Sequence, residues 1–428
     1  MNSWRTAQST VIGNSHIKAD TECQDAHVVE LVKDGQWAIA VVCDGAGSAP
    51  RSLEGASHVS RFIADTLVDL VAQFDSRAPG PWLNDYVIQK ILEVREELRE
   101  LAGDDDVKVL NCTLVACLVG PDGGFTFHIG DGNIVGGYKN PNSPNAEIEI
   151  FHSLPENGEY ANETYFITES DWVKHLRFKS VPALDWFLCC SDGGAALAMA
   201  NEENLKLGFI VPVITQVFSS EDASTSSAKL SKYLSDPQAD AVTGDDKTIV
   251  LACKPIVIEE MHKYFPEPER QSGNTSSPKA NSLIQKKRNN LKPIGDSNTP
   301  HSVFVLDGSS QRKKLAAITT LIFLFLIGQL MLPIAPFGLI GYDRIDYGNG
   351  KIYNGKVKDK TPNGIGVMSY ADGSASFGNW TQGIRSGEIA SRDPNGTISI
   401  ECWCNDQILE QNPPCNLGEV AQEEPLAE

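Results

Sequence analysis

The sequence predicts a layered α/β protein with a membrane segment and a small β-hairpin module behind it. Three observations predict this. Residues 1–255 alternate short strand-like runs, many apolar on both faces, with two amphipathic helical stretches. A later run, Leu315–Gly341, carries no charged residue. Beyond it, glycines recur at a step of 23 residues: Gly350, Gly373 and Gly396.

The bulk numbers set the frame. At 428 residues the chain is too long for one ordinary domain, and 41% hydrophobic with 21% charged residues is a globular balance. A net charge of −20 argues against nucleic acid as a partner, because a phosphate backbone demands a basic face. Of ten cysteines, seven precede residue 254, mostly inside apolar runs and without zinc-type spacing. They read as small buried hydrophobes in a reducing compartment.

In chain order, the strand-like runs are "QWAIAVVCD", "CTLVACLVG", "FTFHIGDG", "WFLCCSDGG" and "KTIVLAC". Runs apolar on both faces suit strands inside a sandwich or beneath helices. The helices are Ser52–Phe74, with Ser52 as N-cap, and Leu83–Gly103, closed by Gly103. Residues 1–255 thus form the first domain. Residues 256–314, with "PEPERQSGNTSSPKANS", lose the periodicity and read as a disordered, locally basic linker.

Residues 315–340 are long enough to cross a bilayer, which takes about 20 apolar residues. The internal position excludes a cleaved signal peptide. Pro333 and Pro336 end or kink the helix near Met331. Arg312, Lys313 and Lys314, with Lys286, Lys287 and Arg288, put the N-terminal side in the cytoplasm. The chain is therefore expected to be a single-pass membrane protein with its C-terminal part extracytoplasmic. In that part, residues 345–400, Gly364 and Gly387 repeat the 23-residue step, as do Tyr347 and Tyr370. Regular glycines of positive φ alternating with aromatics indicate successive β-hairpins, and the stretch "YNGKVKDKTPNGIGVMSYADGSASFGNW" resembles the MORN repeat. Residues 401–428 form an acidic tail. In an oxidising space Cys402, Cys404 and Cys415 allow one disulfide, with Cys415 as one partner because Cys402 and Cys404 are separated by a single residue.

The chemistry lies in the aspartates. Asp44, Asp131 and Asp192 each follow an apolar run; Asp245 and Asp246 precede one, and Asp25 stands at the start of another. Carboxylates at strand ends, flanked by glycine or serine, suit a hard cation with oxygen ligands. Glycines beside them let carbonyls and water approach without a Cβ in the way. Asp-Gly is also a common hairpin turn, and that reading is taken for Asp122 and Asp372.

The ordered motifs "QDA", "VCDGAGS", "NCTLVACLV…FHIGDG", "CCSDGG" and "DDKTIV" resemble the type 2C metal-dependent protein phosphatases over about residues 8–254. The resemblance implies a β-sandwich of two antiparallel sheets flanked by helices, carrying two Mg²⁺ or Mn²⁺ ions at one end. It implies hydrolysis of phosphoserine and phosphothreonine in proteins by a water activated between the ions, with a Ser/Thr kinase as the opposing partner. By position, Asp44 would bridge the ions and Gly45 would lend its carbonyl. Asp192 and Asp245 would hold one ion, Asp131 would match a third, and Asp25 would orient the attacking water. The sequence departs from the family at Gln24, where Glu is usual, and at Asp20, where an arginine contacts phosphate. Ala46 stands where some relatives have histidine. His16, Lys18 and Arg51 are the substitute candidates for holding substrate phosphate. The departures also motivate an alternative, a catalytically silent phosphatase-like scaffold; the retained carboxylates argue against it.

Overall fold

The computed structural model describes residues 3–73, 82–140, 143, 148–153, 164–201, 204–220, 222–265, 343–404 and 407–408. Among the described residues, ten strands precede residue 254. They are β1 (Arg5–Val11), β2 (Ala26–Val32), β3 (Trp37–Cys43), β4 (Leu114–Gly120), β5 (Gly123–Ile129), β6 (Asn133–Lys139), β7 (Ile148–Ser153), β8 (Arg177–Val181), β9 (Trp186–Cys190) and β10 (Lys247–Cys253). They make two five-stranded antiparallel sheets, one in the order β1-β10-β9-β6-β7 and the other β2-β3-β4-β5-β8. Among the helices are α1 (Asn14–Ala19), α2 (Ser52–Gln73), α3 (Trp82–Ala102), α4 (Trp172–His175), α5 (Asp192–Ala198), α6 (Leu207–Val217) and α7 (Ala223–Leu234).

Strand β3 shows why these runs are apolar throughout. Ala38, Ala40 and Val42 share a core with Val115, Phe187 and Val250, between the two sheets. Ile39, Val41 and Cys43 point the other way, into the core formed with α2 and α3. On the far side, Leu188, Ile249 and Leu251 pack with Ile210 and Val213 of α6 and Leu230 of α7. The central strands β3, β4, β9 and β10 therefore bury both of their faces, and each fully buried aliphatic side chain contributes about 1.5–3 kcal/mol.

Local details differ from the sequence expectation in two places. Ser52 opens α2, but its hydroxyl is buried without a hydrogen-bond partner, so it is no side-chain cap. The packed body also continues past residue 255. Two short helical turns follow β10, burying Val257, Tyr264 and Phe265, and the Tyr264 hydroxyl donates to Asp185 Oδ2 at 2.7 Å. Gly103, by contrast, ends α3 as expected, with φ 65° and its N–H bonded to the Arg99 carbonyl.

The C-terminal part is a seven-stranded antiparallel meander in chain order. Its strands are β11 (Asp343–Asp346), β12 (Ile352–Lys358), β13 (Thr361–Ser369), β14 (Ala375–Thr381), β15 (Ile384–Arg392), β16 (Ile398–Cys404) and β17 (Gln407–Ile408). Gly350, Gly373 and Gly396 stand in alternate turns of the meander, between β11 and β12, β13 and β14, and β15 and β16, with φ of 76°, 87° and 91°. The left-handed backbone explains the period: L side chains are strained there and glycine is not. Asp372 accepts from the Ser374 backbone N–H and hydroxyl, the turn role expected of it. The sheet runs on to Ile408, past the expected limit at residue 400. Cys402 is disulfide-bonded, whereas Cys404 is a free thiol. One face of the meander packs on α3, where Val367, Phe377 and Ala390 join the core of α2 and α3.

Among the described residues no helix is long and apolar enough to cross a membrane. The expected span, Leu315–Gly341, lies outside the described residues, as does most of the basic linker before it.

Candidate active site

Strand register gathers the acidic residues at one end of the sandwich. Ala26 pairs with Cys43, so Asp25, just before β2, and Asp44, just after β3, leave the second sheet side by side. In the first sheet Cys190 pairs with both Ile249 and Asn133. That pairing puts Asp192, at the start of α5, beside the approach to β10 with Asp245, and beside Asp131 in the β5–β6 link. Five carboxylates distant in sequence thus share one rim.

Glycine is needed here for close approach. A Cβ at Gly193 would overlap the Asp246 carbonyl, and one at Gly13 would strike the Asp245 backbone. At Gly45 a Cβ would stand 2.7 Å from the Gln24 carbonyl and 2.9 Å from Ser52 Cβ. The loops that carry the carboxylates are therefore packed backbone against backbone.

Asp44 is fixed through its main chain. Its N–H donates to Thr113 Oγ1 at 3.0 Å, and its carbonyl accepts from the Thr113 N–H at 2.8 Å. Burial, then Asp25, Asp192, Asp131 and Asp245, push its carboxyl well above the ordinary 3.8. The four neighbouring charges that act most strongly on Asp44 are all carboxylates. Asp192 is pushed up to about 6, first by burial and then by Asp245 and Asp131. Asp131 is raised mainly by burial, with Thr164 and the Arg177 guanidinium pulling it back.

Asp25 is 5% exposed and is pushed up to about 7, chiefly by burial, against hydrogen bonds from Thr248 and Ser191. Ser191 Oγ donates to Asp25 Oδ2 at 2.8 Å and accepts from the Thr248 N–H at 3.2 Å, tying one sheet to the other. Among the described residues, Asp25 Oδ1 and Gln24 Oε1 are buried without a hydrogen-bond partner.

Asp245 and Asp246 have separate environments. Asp246 is 2% exposed and accepts from the Gly13 N–H at 2.7 Å, the Gln24 N–H at 2.7 Å and His16 Nδ1 at 2.9 Å. Its oxygens are engaged. Asp245 is exposed and exerts its charge on Asp44, Asp131 and Asp192.

The three candidate phosphate contacts separate clearly. His16 lies on α1, oriented by Asp246, rather than at a strand edge. Lys18 is exposed on the same helix. Arg51 is committed elsewhere: it bonds Glu54 at 2.7 Å and the Leu101 carbonyl at 2.9 Å. Sequence reasoning missed Ser191, Thr113, Thr248 and Arg177, which donates to the Gly130 carbonyl at 2.6 Å beside Asp131. Serine and threonine beside strand-end aspartates were visible, but their partners lie up to 166 positions away, as for Ser191 and Asp25.

The donor set consists of carboxylate, carbonyl and hydroxyl oxygens, crowded and partly unpaired, which fits hard divalent cations. Among the described residues no group of three or more His, Cys, Asp or Glu side chains forms a closed metal-ligand cluster. The acidic groups are near enough to raise one another's pKa without being drawn into a finished cage.

The protein phosphatase 2C family model matches residues 12–235, just over half of the chain. The chain belongs to the protein phosphatase 2C family. It is a serine/threonine protein phosphatase of that type, and the family is metal-dependent. The phosphatase is 31% identical over 270 residues to serine/threonine-protein phosphatase 3 of Escherichia coli (strain K12), spanning 58% of this chain and 98% of that relative. Among solved structures it is similar to the serine/threonine phosphatase Stp1 from Staphylococcus aureus, at 16% identity and TM-score 0.37, over 59% of this chain and 95% of that one. It is also similar to PppA of Pseudomonas aeruginosa, at 17% identity and TM-score 0.37, over 59% and 98% of the two chains.

Proposed function

We propose that the acidic rim is where this phosphatase hydrolyses phosphoserine and phosphothreonine in proteins, using two Mg²⁺ or Mn²⁺ ions and a third at Asp131. The observation that carries this reading is Asp44, delivered to a rim where Asp25, Asp192, Asp131 and Asp245 are the charges that act most strongly on it. Asp44, the Gly45 carbonyl, Asp192 and Asp245 would hold the pair. When bound, such ions supply Lewis-acid activation of water and offset charge on the phosphoryl oxygens.

The protein's own part is positioning. Ser191, itself held by the Thr248 N–H, holds the Asp25 carboxyl through Oδ2, leaving Oδ1 to accept a proton or a water hydrogen bond. Asp246 fixes the His16 ring and makes His16 the better of the candidate phosphate contacts, while Arg51 is occupied by Glu54. Phosphorylated proteins, and hence a Ser/Thr kinase, are the implied partners.

The apolar segment 315–340 with its basic N-terminal flank would hold the enzyme at a membrane, with the catalytic domain in the cytoplasm. The meander would be a MORN-like hairpin module. Assay of the full chain on phosphoserine and phosphothreonine peptides with Mn²⁺ tests the site. Turnover abolished by chelator and by Asp44→Asn or Asp192→Asn is expected; turnover indifferent to all three would overturn the assignment.

A further inference from the structure

The meander meets the catalytic body through a buried ionic socket. Glu388 on β15 is 6% exposed and lies 2.7 Å from Arg95 Nη2 on α3, itself 4% exposed. Arg99 pairs with the same carboxylate oxygen, and Trp172 Nε1 donates to the other at 2.7 Å. The Arg95 guanidinium also lies over the Trp172 ring, 5.4 Å from its centre. Phe377, opposite Ala390 in the register, adds apolar area on the same face, and Arg392 pairs with Asp85 nearer the edge. The other face carries its own small core of Tyr353, Met368 and Trp380. A buried arginine deprived of its carboxylate is strongly destabilising. Arg95 and Glu388 therefore make each other's burial tolerable.

The floor of the socket leads towards the acidic rim. Arg95 donates to the Ile167 carbonyl, and the Ile167 N–H donates to the Cys112 carbonyl at 3.0 Å. Cys112 pairs with Gly45, and the adjacent Thr113 holds Asp44. Upstream in the same segment, Thr164 lies close enough to Asp131 to pull its carboxyl back down.

We propose that the C-terminal meander is a docked module of the catalytic domain, seated on α3 and Trp172 through Glu388, Phe377 and Arg392, and that both lie on one side of any membrane the 315–341 segment enters. The docked geometry and an extracytoplasmic meander exclude each other, since a 2.7 Å ion pair does not span a hydrocarbon layer of about 30 Å. The Cys402 disulfide argues the other way, because a reducing cytosol disfavours it.

The full chain in membranes decides between them. Topology reporters fused at Met1 and after Glu428 are expected on the same side; opposite sides would overturn the proposal. Hydroxyl-radical footprinting of Trp172, which is fully buried, reads docking directly. Glu388→Arg, which sets a third cation beside Arg95 and Arg99, is expected to raise Trp172 oxidation severalfold; unchanged protection would count against docking. Asp85→Arg and Arg392→Asp are each expected to raise it, and the double reversal to restore protection. A double variant no better than the singles would also refute the contact.

Discussion

Two sets of buried carboxylates in this molecule have opposite electrostatics. At the acidic rim Asp25 is pushed up to about 7 and Asp192 to about 6, by burial and by one another. In the socket, burial also pushes Glu388 upward, but Arg95 and Arg99 outweigh it and hold the carboxyl below its ordinary 4.5. The socket is a balanced contact that is complete as it stands. The rim is an unbalanced one, which a divalent cation would complete. Buried charge alone does not mark a functional site; charge lacking its counter-charge does.

The largest effect should come from breaking the balanced set. Glu388→Ala leaves Arg95 buried without its carboxylate, and a loss of about 3–5 kcal/mol is expected in denaturant unfolding of the full chain. At the rim, Asp44→Asn should lower kcat/KM roughly 100-fold or more, since metal-ion charge stabilisation is worth several kcal/mol and each tenfold corresponds to about 1.36. Ser191→Ala, which frees the Asp25 carboxyl, should cost about tenfold in kcat/KM with a smaller change in KM.

Acidity sharpens the contrast, because the two sets respond with opposite sign. In metal-free protein, Asp25 and Asp192 keep protons that the unfolded chain releases above its value of 3.8. Their contribution lowers stability as pH rises from about 4 to about 7, and it is flat beyond. Glu388, with a lowered pKa, contributes stability above about 4.5 that is lost as pH falls through its folded value. Melting of chelated protein should therefore rise on mild acidification from about pH 7.5 to about pH 5, with Asp44→Asn flattening the rise. Adding Mn²⁺ at about pH 7.5 should restore the lost stability by mass action. The smallest effect is local. Gly373→Ala meets no atom within 4 Å, so only its φ of 87° resists, and about 1 kcal/mol is expected in thermal unfolding.

Much of this was legible in the sequence where the cause is local. The both-sided burial of β3 is written in "AIAVVC", and the positive φ of Gly350, Gly373 and Gly396 in their 23-residue spacing. Strand-end aspartates pointed to the rim because register, once the strands pair, leaves them little choice of place. What escaped was non-local. Arg51 reads as available in the sequence, and only the fold brings the Leu101 carbonyl of α3 to it; nothing local to Asp246 shows that Gly13, His16 and Gln24 close around it. Ser52 reads as a cap from its neighbours alone, yet the fold buries its hydroxyl. Nothing in "SGEIAS" announces that Glu388 belongs to α3.

The separation of that pair has a consequence for how the chain folds. Arg95 and Glu388 lie 293 positions apart, whereas each meander strand pairs with the next across a short turn. Local hairpins form quickly, and contacts that close long loops form late. Loop closure, however, grows only with the logarithm of length, so the 290-odd intervening residues slow docking more than they weaken it. The meander and the sandwich are thus expected to complete separately and to join last. A lesion in either would show first as a chain whose halves are folded and whose Trp172 is still wet.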